Sequence, residues 1–338
     1  MEFSFQSLLS EPRFDVLDIS HVTGLGHEQK LAVVECMNHA LAVFLDKIGV
    51  QHKEEQRDEA LRRDLRAWLT QNLVPVCACD GQVIDRVFDE AASCAEYFYP
   101  LSDHSTKVEM AIGLGVTIGM DDNVAGAATK SRFNRFQYDI WRGSNEQDEW
   151  AKMYTGFIRR FVEHFGAIDP RVGSLGANSW ANYIEACFTE DVFAKQLPPH
   201  VSYLPTGATA NRCCPSGFAS YFRGFTGITT SFTVGIFKPS RQTEVPLEYW
   251  LPSINNLTGF MNLINDLLSW PKEVMAEEDY NYMSIQTLSH RQVKKPRIIT
   301  STSANTDDWT FRDTICETMD AAYQATQELD RAFVQFAR

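Results

Sequence analysis

The stretch NDLLSWPKE, residues 265–273, places an amide, a hydroxyl and a carboxylate at intervals of four residues. A helix turns by about 100° per residue, so Asn265, Ser269 and Glu273 would share one face. Three oxygen ligands on one face suit Mg²⁺, which takes its remaining ligands from water and phosphate. Lys272 is placed to reach the same phosphate as a point charge. The competing interpretation is a polar stripe on a solvated helix surface.

A pair of acidic residues follows the most apolar segment of the chain. MAIGLGVTIGM, residues 110–120, predicts a buried helix that is too short to span a bilayer, and Asp121 and Asp122 come directly after it. Carboxylates are mildly unfavourable at the negative end of a helix dipole, and a bound cation would offset that repulsion. Two acidic sites at the rim of one apolar helical barrel predict a diphosphate–metal cluster.

Helical periodicity dominates the rest of the chain. Strand signals are few, and neither an internal repeat nor a dividing linker is present. The pattern predicts one all-α domain, residues 1–338, of roughly ten helices. Predicted loops cover 200–217 and 291–308, and three glycines break the apolar segment 221–237. The predicted helices are 27–49, 56–74, 81–100, 105–120, 148–166, 174–196, 221–237, 245–278 and 310–337.

Composition excludes several classes of function. The net charge of −13 over 338 residues argues against a nucleic-acid binder and against docking on anionic membranes. The first twenty residues carry charges throughout, unlike a signal peptide. The eight cysteines include no CxxC pair that would frame a zinc site. We therefore expect a cytoplasmic protein with reduced thiols and no membrane insertion.

The two motifs together resemble those of class I terpene synthases, most closely the fungal trichodiene synthase-like sesquiterpene cyclases. The family motif (N/D)Dxx(S/T)xxxE is matched in full by Asn265, Asp266, Ser269 and Glu273. The aspartate-rich motif is matched by the Asp pair of DDNVA, residues 121–125. QYDIWRG, VEHFG and MSIQ are also similar to family segments, and the resemblance covers roughly residues 85–338.

The resemblance implies a fold, a reaction and a set of ligands. The fold is a single-domain helical barrel around an apolar pocket, and the substrate is a prenyl diphosphate, farnesyl diphosphate in this subfamily. Three Mg²⁺ ions would bind with the diphosphate: Asp121 would hold two of them, and the residues of the second motif would hold the third. Asp122 and Lys272 are assigned to substrate binding. The candidate wall residues, for each of which ordinary core packing is the more common explanation, are Tyr97, Phe98, Trp180, Tyr183, Phe232 and Asn262.

Four features depart from the family pattern. Ala125 replaces the last carboxylate of the aspartate-rich motif, and Asn178 stands where the family carries a diphosphate-sensing Arg. Arg159, Arg160 and Arg171 are candidate spatial substitutes for that Arg. Ala332 and Phe333 replace an Arg-Tyr pair, or else the family's last helix follows Arg338. Pro271 predicts a kink inside the second motif.

Three functions remain open at this stage. The first is a Mg²⁺-dependent sesquiterpene synthase of terpenoid biosynthesis in fungal secondary metabolism. The second is an enzyme of the same fold that acts on a terpenoid without a diphosphate. The third is a helical protein that binds an isoprenoid without turnover, for which the complete second motif has no purpose. Homodimers are common in this fold, and the sequence leaves the oligomeric state and the product skeleton open. The substrate chain length is also open, since geranyl or geranylgeranyl diphosphate could replace farnesyl diphosphate.

Overall fold

The structure is a computed structural model that describes residues 4–50, 57–77, 81–121, 136–142, 149–196, 217–278, 280–293 and 309–336. Within these ranges the regular elements are helices, and the only β pairing is an isolated bridge between Ser240 and Thr243. The all-α prediction is therefore confirmed for the described residues. The predicted loops 200–217 and 291–308 lie outside them except at their ends. Gly217 is a turn, as predicted, but residues 291–293 are helical and the loop prediction is wrong there.

Fourteen α-helices occur in the described part of the chain. Short 3₁₀ helices, Pro12–Leu17, Val74–Val76 and Leu251–Ser253, lie between some of them. The α-helices are α1 Phe5–Leu9, α2 His27–Lys47, α3 Glu59–Asn72, α4 Gly81–Phe98, α5 His104–Asp121, α6 Phe136–Arg142, α7 Glu149–Phe165, α8 Pro170–Gln196, α9 Phe218–Thr226, α10 Thr229–Ile236, α11 Leu247–Trp250, α12 Ile254–Ala276, α13 Tyr282–Val293 and α14 Phe311–Phe336.

The predicted helices are present, and their boundaries differ where proline or glycine intervenes. The predicted segment 245–278 is three elements, because Pro252 lies in the 3₁₀ turn that separates α11 from α12. The predicted break in 221–237 falls at Gly227 and Ile228, between α9 and α10. Helix α8 begins earlier than predicted, at Pro170, because proline is favoured in the first turn of a helix.

The described residues group into two compact units, each with its own apolar core. The motif unit, Met1–His52, Phe193–Gly224 and Asn255–Arg338, contains NDLLSWPKE and buries Phe5, Phe44, Trp270 and Phe311. The aromatic unit, Lys53–Val192 and Phe225–Ile254, is built on α3, α4, α5, α7 and α8. The predicted single-domain organisation stays a prediction.

Glycines let aromatic rings approach the helices of the aromatic unit closely. A Cβ added at Gly176 on α8 would lie 2.3 Å from Cε1 of Phe161, and one added at Gly113 on α5 would lie 2.6 Å from Cζ2 of Trp180. Phe161 cannot easily retreat, because it is fully buried and stacks on Phe165 at a centroid distance of 4.2 Å. The core therefore has no space for even one methyl group at these positions.

We expect Gly176→Ala to lower the free energy of unfolding by about 1–3 kcal/mol through overpacking, although alanine favours a helix by about 1 kcal/mol. The matched control is Gly156→Ala on α7, where an added Cβ meets no atom within 4 Å. That change should raise stability by about 0.5–1 kcal/mol. Urea unfolding followed by circular dichroism measures both, and a stabilised Gly176→Ala protein would contradict the packing argument.

His164 on α7 is buried in the aromatic unit, with an exposed fraction of 5%. Its Nε2 lies 2.9 Å from Oγ1 of Thr106 on α5. Burial lowers the pKa of His164 to about 4, and Lys238, Arg241 and Arg160 add to that effect against the opposing charge of Asp103. Neutral imidazole is therefore the form that the folded core accepts.

The His164 pKa lies below its ordinary value of 6.5, so its contribution to stability is present above pH 6.5 and is lost as pH falls towards 4. The full loss is up to about 3 kcal/mol. Compared with a His164→Gln variant, the wild-type free energy of unfolding should fall more between pH 7 and pH 4. Because both proteins share all other titratable groups, the difference between their free energies of unfolding isolates the effect of His164. A difference that does not change between pH 7 and pH 4 would refute the prediction.

Candidate functional site

Helix α12 carries the polar face that the sequence predicts. Asn265, Ser269 and Glu273 all lie on it, and the helix continues through Pro271 to Ala276. Ser269 Oγ donates a hydrogen bond of 2.6 Å to Oε1 of Glu273, so these two side chains meet one turn apart. Asn265, one turn earlier, is exposed. Three oxygen-bearing side chains of the types that bind a hard cation thus lie along one side of α12.

An arginine from α9 occupies the N-terminal end of this face. Arg223 Nη2 donates a hydrogen bond of 2.5 Å to Oδ1 of Asn265, and its Nε lies 2.7 Å from Oδ1 of Asp266. The two members of this ion pair have side-chain exposures of only 18% and 9%. A single guanidinium therefore contacts two consecutive residues of the motif.

Two oxygen atoms on α12 are buried without a hydrogen-bond donor from the described residues. They are Oδ1 of Asn262 and Oδ2 of Asp266, one helical turn apart. A buried acceptor left without a partner is unfavourable, so both atoms favour a donor or a cation from beyond the described residues. The described part of the chain holds no cluster of three His, Cys, Asp or Glu side chains, so a metal here would depend on amide and hydroxyl oxygens as well.

The protonation states of the site are set mainly by burial. Burial raises the pKa of Asp266 to about 6, while the charge of Arg223 acts in the opposite direction. Burial also raises the pKa of Glu273 to about 7, against the hydrogen bond from Ser269. Tyr282 on α13 shares a hydrogen bond with Ser220 of α9, and burial raises its pKa to about 12. Burial therefore favours the protonated form of Glu273 more than that of an ordinary carboxyl group.

The residues assigned to the diphosphate lie in different parts of the chain. Lys272 is exposed on α12, in the motif unit. Asn178 is exposed on α8, in the aromatic unit. Asp121 is the last residue of α5, but its side chain, Asp122 and Ala125 lie outside what the structure describes. The metal and substrate roles of these residues stay predictions.

Three predicted wall residues pack in or against the core of the aromatic unit. Trp180 is fully buried, and its ring meets Phe157 edge-on at 5.1 Å and Phe232 at 6.0 Å. Tyr183 is buried and donates a hydrogen bond of 3.4 Å to the carbonyl of Thr117. Core packing explains these contacts, and a role as pocket wall stays a prediction.

The other wall candidates are placed differently. Tyr97 and Phe98 end α4 with exposed fractions of 48% and 44%. Asn262 is buried on α12, one turn before Asp266. Among the wall candidates, Asn262 is the one whose buried side-chain oxygen has no hydrogen-bond donor among the described residues.

Sequence reasoning missed Arg223 and Tyr282. Arg223 had a detectable signal, because it is the only basic residue between Arg212 and Lys238 in an otherwise apolar segment. Two of the arginines considered as substitutes for the family's Arg are paired within the aromatic unit. Arg160 Nε lies 2.7 Å from Oε1 of Glu109, and Arg171 Nη2 lies 2.6 Å from Oδ2 of Asp169.

Comparisons with known proteins agree with the motifs. No protein-family model matches the chain. Terpene synthase BipA of Cochliobolus sativus is 22% identical over 278 residues, which cover 79% of this chain and 77% of BipA. The chain resembles fungal terpene synthases. An (E)-beta farnesene synthase of Metarhizium brunneum is 23% identical over 199 residues, 58% of this chain and 55% of that protein.

A solved structure of a cucumene synthase variant covers 83% of this chain and 99% of its own, with a TM-score of 0.48 and 14% identity. The resemblance to terpene synthases that the two motifs indicate is confirmed by the sequence relatives. The trichodiene synthase-like subfamily stays a prediction. None of the helices in the described ranges combines the length and the apolar character needed to cross a membrane.

The burial of the Arg223–Asp266 pair predicts a large energetic effect. Asp266→Ala should lower the free energy of unfolding by about 2–4 kcal/mol, because it leaves a largely buried guanidinium without its carboxylate. Asp15→Ala is the matched control: Asp15 also lies 2.7 Å from an arginine, Arg312, but is 67% exposed. That change should cost less than about 1 kcal/mol. Equal losses in urea unfolding would show that the Arg223 pair behaves as a surface pair.

Proposed function

We propose that this protein is a Mg²⁺-dependent sesquiterpene synthase, which ionises farnesyl diphosphate, closes a ring and releases diphosphate. The observation that carries the proposal is the oxygen face of α12, where Ser269 and Glu273 are 2.6 Å apart and a guanidinium lies beside Asn265. The names of the sequence relatives support a prenyl diphosphate substrate. The farnesene synthase supports a chain of fifteen carbons, although farnesene is acyclic.

The donor set of α12 suits the proposed metal. Asn265, Ser269 and Glu273 offer an amide, a hydroxyl and a carboxylate oxygen, and such oxygens are the ligands of Mg²⁺. Bound there, Mg²⁺ would neutralise charge on the departing diphosphate as a Lewis acid. The chain contributes by holding these three oxygens on one rigid helix, which fixes the position of the leaving group. The metal roles that the resemblance gives to Asp121 stay predictions.

Arg223 is the basic residue that we propose for the diphosphate, in place of the Arg that is absent at Asn178. It lies in the same unit as α12, and its planar guanidinium can donate two parallel hydrogen bonds to phosphate oxygens. Lys272, exposed on the same helix, adds a flexible point charge. Together these cations would stabilise the negative charge that develops on the leaving group.

The carbocation that remains would require side chains that do not react with it. Aromatic faces attract cations, and Trp180 and Phe232 supply such rings in the aromatic unit. The buried amide of Asn262 offers a dipole with no competing donor among the described residues. We propose Trp180 and Phe232, both in the aromatic unit, as the predicted wall residues that influence the product.

The deciding experiment is incubation of the purified protein with farnesyl diphosphate, with Mg²⁺ or with EDTA, followed by headspace gas chromatography–mass spectrometry. We expect a sesquiterpene and an equal amount of diphosphate only when Mg²⁺ is present. Asn265→Ala and Glu273→Gln should each lower the rate by about 10²-fold or more, the loss typical when one group that stabilises the leaving charge is removed.

The matched control is Asn255→Ala, which truncates an exposed asparagine near the start of the same helix. It should retain the wild-type rate. Farnesyl diphosphate that binds without turnover would overturn the proposal in favour of a binding protein. Turnover of a terpenoid without a diphosphate, and not of farnesyl diphosphate, would favour the repurposed enzyme.

A further inference from the structure

Helix α12 ends in two backbone hydrogen bonds, one of which is accepted by Glu273. The amide nitrogen of Glu278 donates a hydrogen bond of 3.0 Å to the carbonyl of Glu273, and that of Glu277 donates one of 3.2 Å to the carbonyl of Val274. This pair of bonds is a Schellman motif, in which Glu277 is the first residue beyond the helix cap. The proposed metal ligand Glu273 is therefore also the residue whose carbonyl receives the outer bond of the helix terminus.

Glu277 has a backbone conformation that is unfavourable for its residue type. Its φ is 58°, and it is the one non-glycine residue with a positive φ in the described part of the chain. Glycine is the usual residue at this position of the motif, because a Cβ crowds the backbone in the left-handed conformation. A glutamate persists there only if the surrounding structure stabilises it.

Lys30 on α2 supplies such an interaction. Its Nζ forms an ion pair with Oε1 of Glu277, and both residues belong to the motif unit. The lysine side chain is 11% exposed and the glutamate side chain 44% exposed. Lysine is seldom buried without a partner, and a cation is mildly unfavourable near the N-terminus of a helix, where Lys30 lies. The ion pair therefore accounts for the burial of Lys30 and for the conformation of Glu277.

The chain is also anchored on the other side of Glu277. Asn281 Nδ2 donates a hydrogen bond of 2.7 Å to the carbonyl of Glu278, and Asn281 Oδ1 accepts one of 2.9 Å from the backbone nitrogen of Ser284 on α13. The residue that donates to Glu273 is thus linked to α13, while the residue before it is linked to α2. The last turn of α12 is held from two sides.

We propose that Lys30 and Glu277 are positioning residues for Glu273. The ion pair keeps Glu277 in the left-handed conformation, and the hydrogen bond from Glu278 then holds the last turn of α12. The Glu273 carboxylate stays at its place 2.6 Å from Ser269 Oγ. Metal coordination requires ligands that are fixed to within about 0.5 Å, so loss of the pair should weaken metal binding. The inference rests on the proposed function, because it takes Glu273 as a metal ligand.

The test is a titration of the full chain with Mn²⁺ in the presence of inorganic diphosphate, followed by electron paramagnetic resonance. A protein-free series corrects for Mn²⁺ that diphosphate binds in solution. Lys30→Met and Glu277→Gln should each bind Mn²⁺ about 10-fold more weakly than wild type, the lower end of the effect of residues that orient metal ligands. The double variant should show the same factor and not its square, because both changes remove one interaction.

Glycine at position 277 separates the helix terminus from the ion pair. Glu277→Gly, added to Lys30→Met, should restore Mn²⁺ affinity to within about 2-fold of wild type, because glycine takes a positive φ without a partner. Hydrogen exchange measured by mass spectrometry over residues 274–278 should be faster than wild type in Lys30→Met and should return to the wild-type rate with glycine.

Asp15→Asn is the matched control. It removes one carboxylate charge from an exposed ion pair of the motif unit, whose partner is Arg312 on α14. It should change Mn²⁺ affinity by less than about 2-fold, because exposed charges are screened. If Lys30→Met does not fold, Glu277→Gln and Glu277→Gly give the comparison at a half-exposed side chain, and the glycine variant should then bind Mn²⁺ more tightly than the glutamine variant.

Wild-type Mn²⁺ affinity in Lys30→Met and in Glu277→Gln would overturn the positioning role. An equal loss in the Lys30→Met proteins with glutamine and with glycine at position 277 would also overturn it. In both cases weaker Mn²⁺ binding by Glu273→Gln would leave the proposed function standing. No Mn²⁺ binding by wild type with diphosphate would refute the proposed function and the positioning role together.

Discussion

The ion pair between Arg223 and Asp266 is the constraint on which the candidate site depends. A carboxylate with 9% of its side chain exposed is strongly unfavourable unless a cation lies beside it, and here the cation comes from α9. The pair joins α9 to α12, and the hydrogen bond between Ser220 and Tyr282 joins α9 to α13. The oxygen face of α12 is therefore linked by side-chain contacts to α9, and through α9 to α13, and is not an isolated surface stripe.

Sequence reasoning succeeded where the information is local. Four-residue spacing places Ser269 beside Glu273 in any helix, and the structure has a hydrogen bond between them. It failed where the partner is distant, because Arg223 is 42 residues from Asn265 and no periodicity connects them. It also merged α11 and α12 into one helix, because the apolar pattern continues across the turn at Pro252. Helices and faces could thus be predicted, whereas the charge that completes the site could not.

The predicted wall residues also show that sequence alone does not determine burial. Tyr97 and Trp180 were both candidates because they are aromatic, but Tyr97 is 48% exposed whereas Trp180 is fully buried. The buried face of α4 runs through Ala91, Ala92 and Ala95 and turns Tyr97 outward, whereas Trp180 enters a space that the absence of a side chain at Gly113 leaves open. A ring is useful to a reacting cation only where water is excluded, and exclusion is a property of packing that no single position encodes.

The two carboxyl groups of α12 have different surroundings. Asp266 lies 2.7 Å from Arg223 Nε in a largely buried ion pair, whereas Glu273 accepts a hydrogen bond of 2.6 Å from Ser269. Burial raises the pKa of both carboxyl groups, to about 6 for Asp266 and to about 7 for Glu273, because a buried carboxylate loses its hydration. A cation bound at the oxygen face of α12 would oppose that effect at Glu273, so metal binding there should release a proton.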